Sequence, residues 1–277
     1  MKSAIALAEK GRGFTNPNPL VGAVIVKNGK IIAEGWHHKL GSLHAERDAL
    51  KNAAEKNVDV RGASIYVTLE PCCHTGRQPP CTQAIIESGI SEVIYGSSDP
   101  NPLVNGKGKK ILEAAGIKVT AGFLKEECDK LNPVFFHYIK NKMPYVILKY
   151  AMTADGQTAT SKAESRWITG QLARKNVHQT RANVMAVLTG IGTAKKDNPM
   201  LNVRLDDGLE HRQPVRVVLD SHLKLNPESA LVQTAKEIPV IVFCKPELTK
   251  TELIKKEVLE SRGVKVLSAK QEKNHSL

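Results

Sequence analysis

The sequence predicts an α/β protein of two units, each built from strands alternating with helices. Short apolar, β-branched runs recur along the chain, separated by segments of helical spacing or by clusters of Gly, Pro and Asn. The length of 277 residues exceeds the roughly 100–200 of a single domain. Pro144 falls between two such series, so the expected units are 1–143 and 144–277.

The opening MKSAIALAEKGRG reads as an amphipathic helix with Ile5 and Ala8 one turn apart, stopped by Gly11. Glu9 and Lys10 break its apolar stretch and no cleavage pattern follows, so no secretion signal is expected. Residues 20–27 and 30–35 form a hairpin about Asn28-Gly29, whose two turn positions need positive φ. A helix over 44–57 and a strand over 64–69 lead into a loop rich in Pro, Cys and Gly. Pro79 and Pro80 open the next helix, where a missing N–H costs nothing, and Gly89 closes it. Strand 92–96, helix 107–115, strand 117–121 and a helix over 125–142, broken or bent at Pro133, complete an α/β/α pattern. The second series is strand 145–151, helix 170–181, strands 184–189, 214–219 and 238–244, helix 249–261 and strand 264–267. The final SAKQEKNHSL is a polar tail.

Composition narrows the function classes. With 41% hydrophobic residues the chain has material for ordinary cores, and no apolar run reaches the roughly 18 residues of a membrane span. Forty Lys and Arg against 28 Asp and Glu give a net charge of +12. That charge fits either nucleic-acid binding or an enzyme of anionic small substrates. Basic runs are short and aromatics are only 4%, which disfavours base stacking. A cytoplasmic homo-oligomer with no nucleic-acid or membrane partner is expected. The five cysteines are an odd number without a signal peptide, which argues against a disulfide framework. Cys72, Cys73 and Cys81 cluster instead, as a metal site would require.

The pattern His44-Ala45-Glu46, then Pro71-Cys72, then Pro80-Cys81 carries the chemistry. Catalytic zinc takes three protein ligands from His and Cys and keeps one position for water. His44 and Cys81 each start a helix, and a thiolate at a helix N-terminus has a lowered pKa. Two thiolates and a neutral imidazole cancel the dication's charge. Glu46 is placed to move protons, as the non-ligand Glu of zinc deaminases does. Alone, an HxE would be surface chemistry and a cysteine pair buried filling. The three elements in order, each at an element boundary, predict a zinc-dependent deaminase acting on a nucleobase-like ring. Cys73 is read as a non-ligand, and Cys128 and Cys244 as small buried hydrophobes.

Nucleoside and tRNA deaminases show PCxxC, whereas nine positions separate Cys72 from Cys81 here, with the insert CHTGRQPP between them. PNPLVGAVIV, HAE, TLEPCCHTGRQPPC and DPNP together resemble the bifunctional RibD family of riboflavin biosynthesis. The resemblance continues through LKYAMTADGQ, ESRWIT, Arg181, GIGTAKKDNPMLNVR and VVLDS. It implies a cytidine-deaminase-like α/β/α domain followed by a dihydrofolate-reductase-like domain, using zinc and NADPH. The implied substrate is 2,5-diamino-6-(5-phosphoribosylamino)pyrimidin-4(3H)-one, deaminated at the 2-amino group and then reduced to 5-amino-6-(5-phosphoribitylamino)uracil.

By the same resemblance Asn18, His37, His74 and Arg77 contact the deaminase substrate, with Asp99 and Asn101 in nearby loops. Asn18 and Asn101 also stand in Asn-Pro turns, where they would simply cap backbone. In the second half, Ala151, Trp167, Thr193, Asp197 and Ser221 would contact NADPH, and Ser165, Arg181, Leu201 and Arg204 the substrate. Arginines suit a sugar phosphate. No GxGxxG follows a strand, so a Rossmann site is not expected. The family's reductase continues into a strand ending in Glu and a Gly-rich turn at a helix start; no EGG segment is present here. An incomplete reductase sheet with an exposed edge is therefore the expectation. The competing readings are a tRNA adenosine deaminase-like enzyme, a closed structural zinc domain, and a deaminase with a non-catalytic second domain.

Overall fold

The structure is a computed structural model that describes residues 1–76, 78–161 and 167–269. The chain divides into two compact units, Met1–Lys149 and Tyr150–Leu277.

The first unit begins with α1 (Lys2–Glu9) and the hairpin β1 (Gly22–Lys27) and β2 (Lys30–Trp36). Its turn has φ of 51° at Asn28 and 73° at Gly29, as the Asn-Gly signal requires. Then come α2 (Ala45–Glu55), β3 (Ser64–Leu69), α3 (Cys81–Glu87), β4 (Glu92–Ser97), α4 (Lys107–Ala114), β5 (Lys118–Ala121), α5 (Lys125–Asp129) and α6 (Pro133–Asn141). The expected break at Pro133 separates α5 from α6, with the proline in the first turn of α6, where its missing N–H is harmless.

The sheet order is β2-β1-β3-β4-β5. β1 runs antiparallel to both β2 and β3, whereas β3, β4 and β5 are parallel. Alternate residues divide between the two faces. Ala23, Ile25, Ile65, Val67, Val93 and Tyr95 pack with Ala45, Ala49 and Ala53 of α2, Ile85 of α3 and Leu112 of α4. Val24 and Tyr66 on the opposite face meet Ala4 and Leu7 of α1. Alanines on α2 and Gly35 on β2 bring that helix unusually close: a Cβ at Gly35 would stand 2.2 Å from the Ala49 nitrogen.

The second unit contains α7 (Gln171–Asn183), β6 (Ala186–Gly190), α8 (Ile191–Asp197), β7 (Val215–Leu219), α9 (Ala230–Gln233), β8 (Val240–Cys244), α10 (Lys250–Ser261) and β9 (Lys265–Ser268). The four strands are parallel in the order β6-β7-β8-β9. Val218, Val240, Val242 and Val266 pack against Ala194 of α8, Leu231 of α9 and Leu259 of α10. Thr249 and Glu252 form a reciprocal capping box at the start of α10.

The strand expected over 145–151 is absent: those residues have no regular structure, and Val146 and Leu148 are largely exposed. β-branched residues make a strand only when a neighbouring ladder accepts them, and none does here among the described residues. The short helices α8 and α9 were not anticipated. Among the described residues, no helix is long and apolar enough to cross a membrane.

Candidate functional site

β3 delivers its carboxyl end, Thr68 to Cys72, toward the first turns of α2 and α3. His44 is the N-cap of α2 and Cys81 the first residue of α3. The ligand atoms of His44, Cys72 and Cys81 all lie within 4.8 Å of one another. His44 Nδ1 is 3.5 Å from Cys72 Sγ and 3.4 Å from Cys81 Sγ. Tetrahedral zinc, with bonds of about 2.3 Å to sulfur and 2.0–2.1 Å to nitrogen, sets such atoms about 3.5 Å apart. The donor set and its spacing therefore fit the ion.

The Cys81 amide donates to Cys72 Sγ at 3.4 Å, so the start of α3 supports both thiols. The Cys81 side chain and then His44 draw the Cys72 thiol down to about 4, while the bond to Cys72 and burial push Cys81 up. The bond to Cys72 likewise raises His44. Glu46, one position into α2, is 4% exposed. Burial, and then the Cys72 charge, lift its carboxyl to about 7. That is the range in which a carboxyl both takes and gives a proton near neutrality.

Around this centre the structure brings Asn18, His37, His74, Asp99 and Asn101 into the loops that follow or precede the sheet strands. The Leu43 carbonyl faces His37 Nδ1 at 2.9 Å, and only an N–H there satisfies it. His37 Nε2 is then the acceptor for Asn18 Nδ2 at 3.2 Å. With its Nδ2 donating to His37, the Asn18 side chain keeps Oδ1 as its acceptor atom. Burial lowers the His37 pKa, in keeping with the neutral ring. Its ring meets that of His44 edge-on at 5.7 Å. Asn132 clamps the entrance of β1, accepting from Leu20 N at 2.7 Å and donating to Leu20 O at 2.8 Å. Glu70 Oε2 accepts from the amides of Asp99 and Gly106 at 3.4 and 3.2 Å, holding the 99–106 loop. Asp99 in turn accepts from the Asn101 amide at 2.8 Å, and burial raises its carboxyl. His74 Nδ1 is buried without a partner among the described residues. Cys73 turns away from the ligand cluster, donating toward the Leu103 carbonyl at 3.4 Å. Arg77 lies outside the described residues.

In the second unit Arg181 on α7 donates to the Asn202 carbonyl at 3.2 Å, and Arg204 donates to the Asn202 side chain. Burial and then the Arg204 charge lower the Arg181 pKa. Leu201, buried and with φ of 50°, turns the chain between Met200 and this pair. Arg204, with Gln171, Arg174, Lys175 and His178 of α7, lines an open cavity of about 680 Å³. Thr193 and Asp197 lie on α8, directly after β6, and Ser221 follows β7. Gly190 and Leu219 are register partners, so Thr193 and Ser221 mark the carboxyl edges of adjacent parallel strands. Ligands of open parallel sheets bind at that edge, which suits a dinucleotide. Ala151 and Trp167 stand outside the sheet, with the Arg174 guanidinium 4.3 Å above the Trp167 ring. Ser165 lies outside the described residues. His178 and Asn202 were missed from the sequence. His178 stands three positions before Arg181 on one helix face, the spacing that would have revealed it.

Comparison with known proteins accounts for both halves. Residues 1–97 match the family model of the cytidine and deoxycytidylate deaminase zinc-binding region, and residues 144–273 that of the RibD C-terminal domain. The riboflavin biosynthesis protein RibD of Actinobacillus pleuropneumoniae is 54% identical over 98% of this chain and 69% of its own length. The Aquifex aeolicus protein of that name is 49% identical over 98% of this chain and 73% of its own. Among solved structures, Acinetobacter baumannii RibD has a TM-score of 0.87 at 41% identity, covering 98% of this chain and 73% of that one. A Thermotoga maritima diaminohydroxyphosphoribosylaminopyrimidine deaminase/5-amino-6-(5-phosphoribosylamino)uracil reductase has a TM-score of 0.82 at 44% identity, covering 97% and 79%. The chain belongs to the RibD family of riboflavin biosynthesis, bifunctional enzymes that join a zinc-site pyrimidine deaminase to an NADPH-dependent reductase.

Proposed function

We propose that residues 1–143 deaminate 2,5-diamino-6-(5-phosphoribosylamino)pyrimidin-4(3H)-one and that residues 144–277 reduce its ribosyl chain with NADPH, giving 5-amino-6-(5-phosphoribitylamino)uracil. The observation that carries the reading is a buried carboxyl, Glu46, beside three ligand atoms lying within 4.8 Å. His44, Cys72 and Cys81 would hold zinc, which would supply an activated water as nucleophile. Glu46 carries one proton of that water to the ring nitrogen; the second, from the hydroxyl newly bound to C2, passes by way of Glu46 to the amino group, which leaves as ammonia while the C2 carbonyl forms. The C2–O bond forms first and the exocyclic C2–N bond breaks as the adduct collapses, with no change of oxidation state.

The Asn18 Oδ1 left over by the His37 relay accepts from a ring-edge N–H, so the pocket selects a base edge that donates. His74 and Arg77 serve the phosphate end of the substrate. In the reductase, Arg181 and Arg204 hold the sugar phosphate, with Leu201 and Ser165 beside it. Thr193, Asp197 and Ser221 support the cofactor at the sheet edge, and Ala151 and Trp167 flank it. We further infer a cytoplasmic homo-oligomer without nucleic-acid or membrane partners.

The test supplies the diaminopyrimidinone ribosyl phosphate with and without NADPH and follows ammonia release and NADPH absorbance separately. Ammonia release without NADPH and absorbance loss with it are expected. In Glu46→Gln, ammonia release falls about 10²–10⁴-fold while zinc is retained. Full deaminase turnover in that variant overturns the role of Glu46.

A further inference from the structure

Arg47 follows Glu46 on α2 and takes no part in the proton transfers above. Its side chain leaves the helix toward the insert between the two cysteines. Nε donates to the Pro79 carbonyl at 3.1 Å and Nη2 to the Pro80 carbonyl at 3.0 Å. Pro80 is the N-cap of α3, immediately before the Cys81 ligand. On the far side of that residue, the Thr82 amide donates to the Cys72 carbonyl at 3.1 Å and the Cys81 amide to Cys72 Sγ at 3.4 Å.

The insert explains why such a grip matters. Two intervening residues, as in PCxxC, set the second thiol almost wholly by chain geometry. Here residues 73–80 intervene, and a longer loop leaves its far end more freedom. The loop ends in two prolines, which carry no N–H, so their carbonyls are the only backbone hydrogen-bonding handles. A guanidinium is a rigid fork that takes two adjacent carbonyls at once; an ammonium is a single point.

We propose that Arg47 is a positioning residue of the zinc site, pinning Pro79 and Pro80 to α2 so that Cys81 is held in register with His44 and Glu46. The inference rests on the zinc reading of His44, Cys72 and Cys81. Loss of the fork frees the start of α3 and shortens the residence of the metal, as loss of outer contacts to metal ligands commonly does.

The experiment compares the zinc-loaded full-length chain with Arg47→Met and Arg47→Lys, following transfer of zinc to a chromogenic chelator and the visible spectrum of the cobalt-substituted forms. Arg47→Met is expected to lose zinc at least about ten-fold faster, with altered cobalt–thiolate bands, and Arg47→Lys to fall between it and the wild type. Equal rates in Arg47→Met and wild type overturn the proposal. So does complete rescue by Arg47→Lys, which would assign the effect to charge rather than to the two-carbonyl grip. If Arg47→Met does not fold, Arg47→Lys decides: faster zinc loss supports the proposal and an unchanged rate overturns it. His44→Ala is the control for the site itself: wild-type zinc content in that variant defeats the zinc reading, and the inference with it.

Discussion

The two units share an α/β plan but finish it differently. In the first, both faces of the sheet are covered, by α2, α3 and α4 on one side and by α1 on the other. In the second, α8, α9 and α10 cover one face, while Leu188 and Leu219 on the other are 60% and 48% exposed. The candidate sites follow suit. Glu46, His37 and Cys81 are buried, and His37 and Cys81 are fixed by named partners. Thr193, Ser221 and Trp167 are exposed. The candidate metal centre is therefore held by contacts within the chain, whereas the residues proposed for the cofactor stand at the surface.

That contrast can be broken in graded ways. The largest effect is expected from His44→Ala, which removes a ligand from the cluster: elemental analysis should find no bound zinc and ammonia release should cease, with the NADPH-dependent rate on separately supplied deaminated intermediate unchanged. A parallel loss of the reductase rate would show that the two centres are not independent. Next, Arg204→Ala and Arg181→Ala each remove a charged hydrogen-bonding partner for phosphate, a contact contributing about 1.5–3 kcal/mol. The reductase KM should rise about 10- to 100-fold while the deaminase KM stays put; equal rises in both would assign the arginines elsewhere.

A smaller, purely structural effect tests the close packing of α2. In Gly35→Ala the new Cβ would meet the Ala49 nitrogen at 2.2 Å and the Ala45 carbonyl at 2.6 Å. Backbone cannot yield as a side chain can, so α2 must move off the sheet, at about 1–3 kcal/mol. Thermal unfolding should come at lower temperature and zinc be held less tightly; an unchanged melting curve would deny the contact. The smallest effect concerns Glu252, whose carboxyl is held down to about 2, first by the Thr249 amide and then by His222. An unfolded Glu titrates near 4.3. The folded form is thus favoured above that value, and its advantage fades as pH falls through about 2. Urea unfolding between pH 5 and 2 should show a shallower pH dependence in Glu252→Gln. Identical profiles would remove Glu252 from the account.

Much of the first unit is legible in the sequence because local signals and long-range packing agree there. Asn28-Gly29 sets the hairpin, Pro133 splits the last helical stretch, and alanines mark the buried face of α2. The metal cluster was readable because each ligand occupies an element boundary that the chain marks with Pro or with an apolar run. The relay through His37 was not readable, since its decisive partner is the Leu43 carbonyl, and any residue carries one. In the second unit the run over 145–151 has the composition of a strand and lacks the neighbour that would make it one. The stretch from Ile191 to Asp197 carries no long helical period, with Gly190 and Gly192 at its start, yet Ala194 docks the turn on the core as α8. The role of Asn202 depends on contacts between distant segments, whereas His178 carries a local signal in its helical spacing from Arg181.

Residues 200–204 follow no ladder, yet four of the five are tied down by hydrogen bonds from elsewhere. Arg216 donates to the Met200 carbonyl, Arg181 to that of Asn202, Gln213 brackets both backbone groups of Val203, and the Arg204 amide reaches His178. The shape of this stretch is thus written in α7 and in residues 213 and 216 rather than in its own letters. Transplanted by itself into another scaffold, the peptide MLNVR would arrive without its conformation. The smallest piece that would carry this conformation with it is the whole span from His178 to Arg216, whose side chains and backbone hold it.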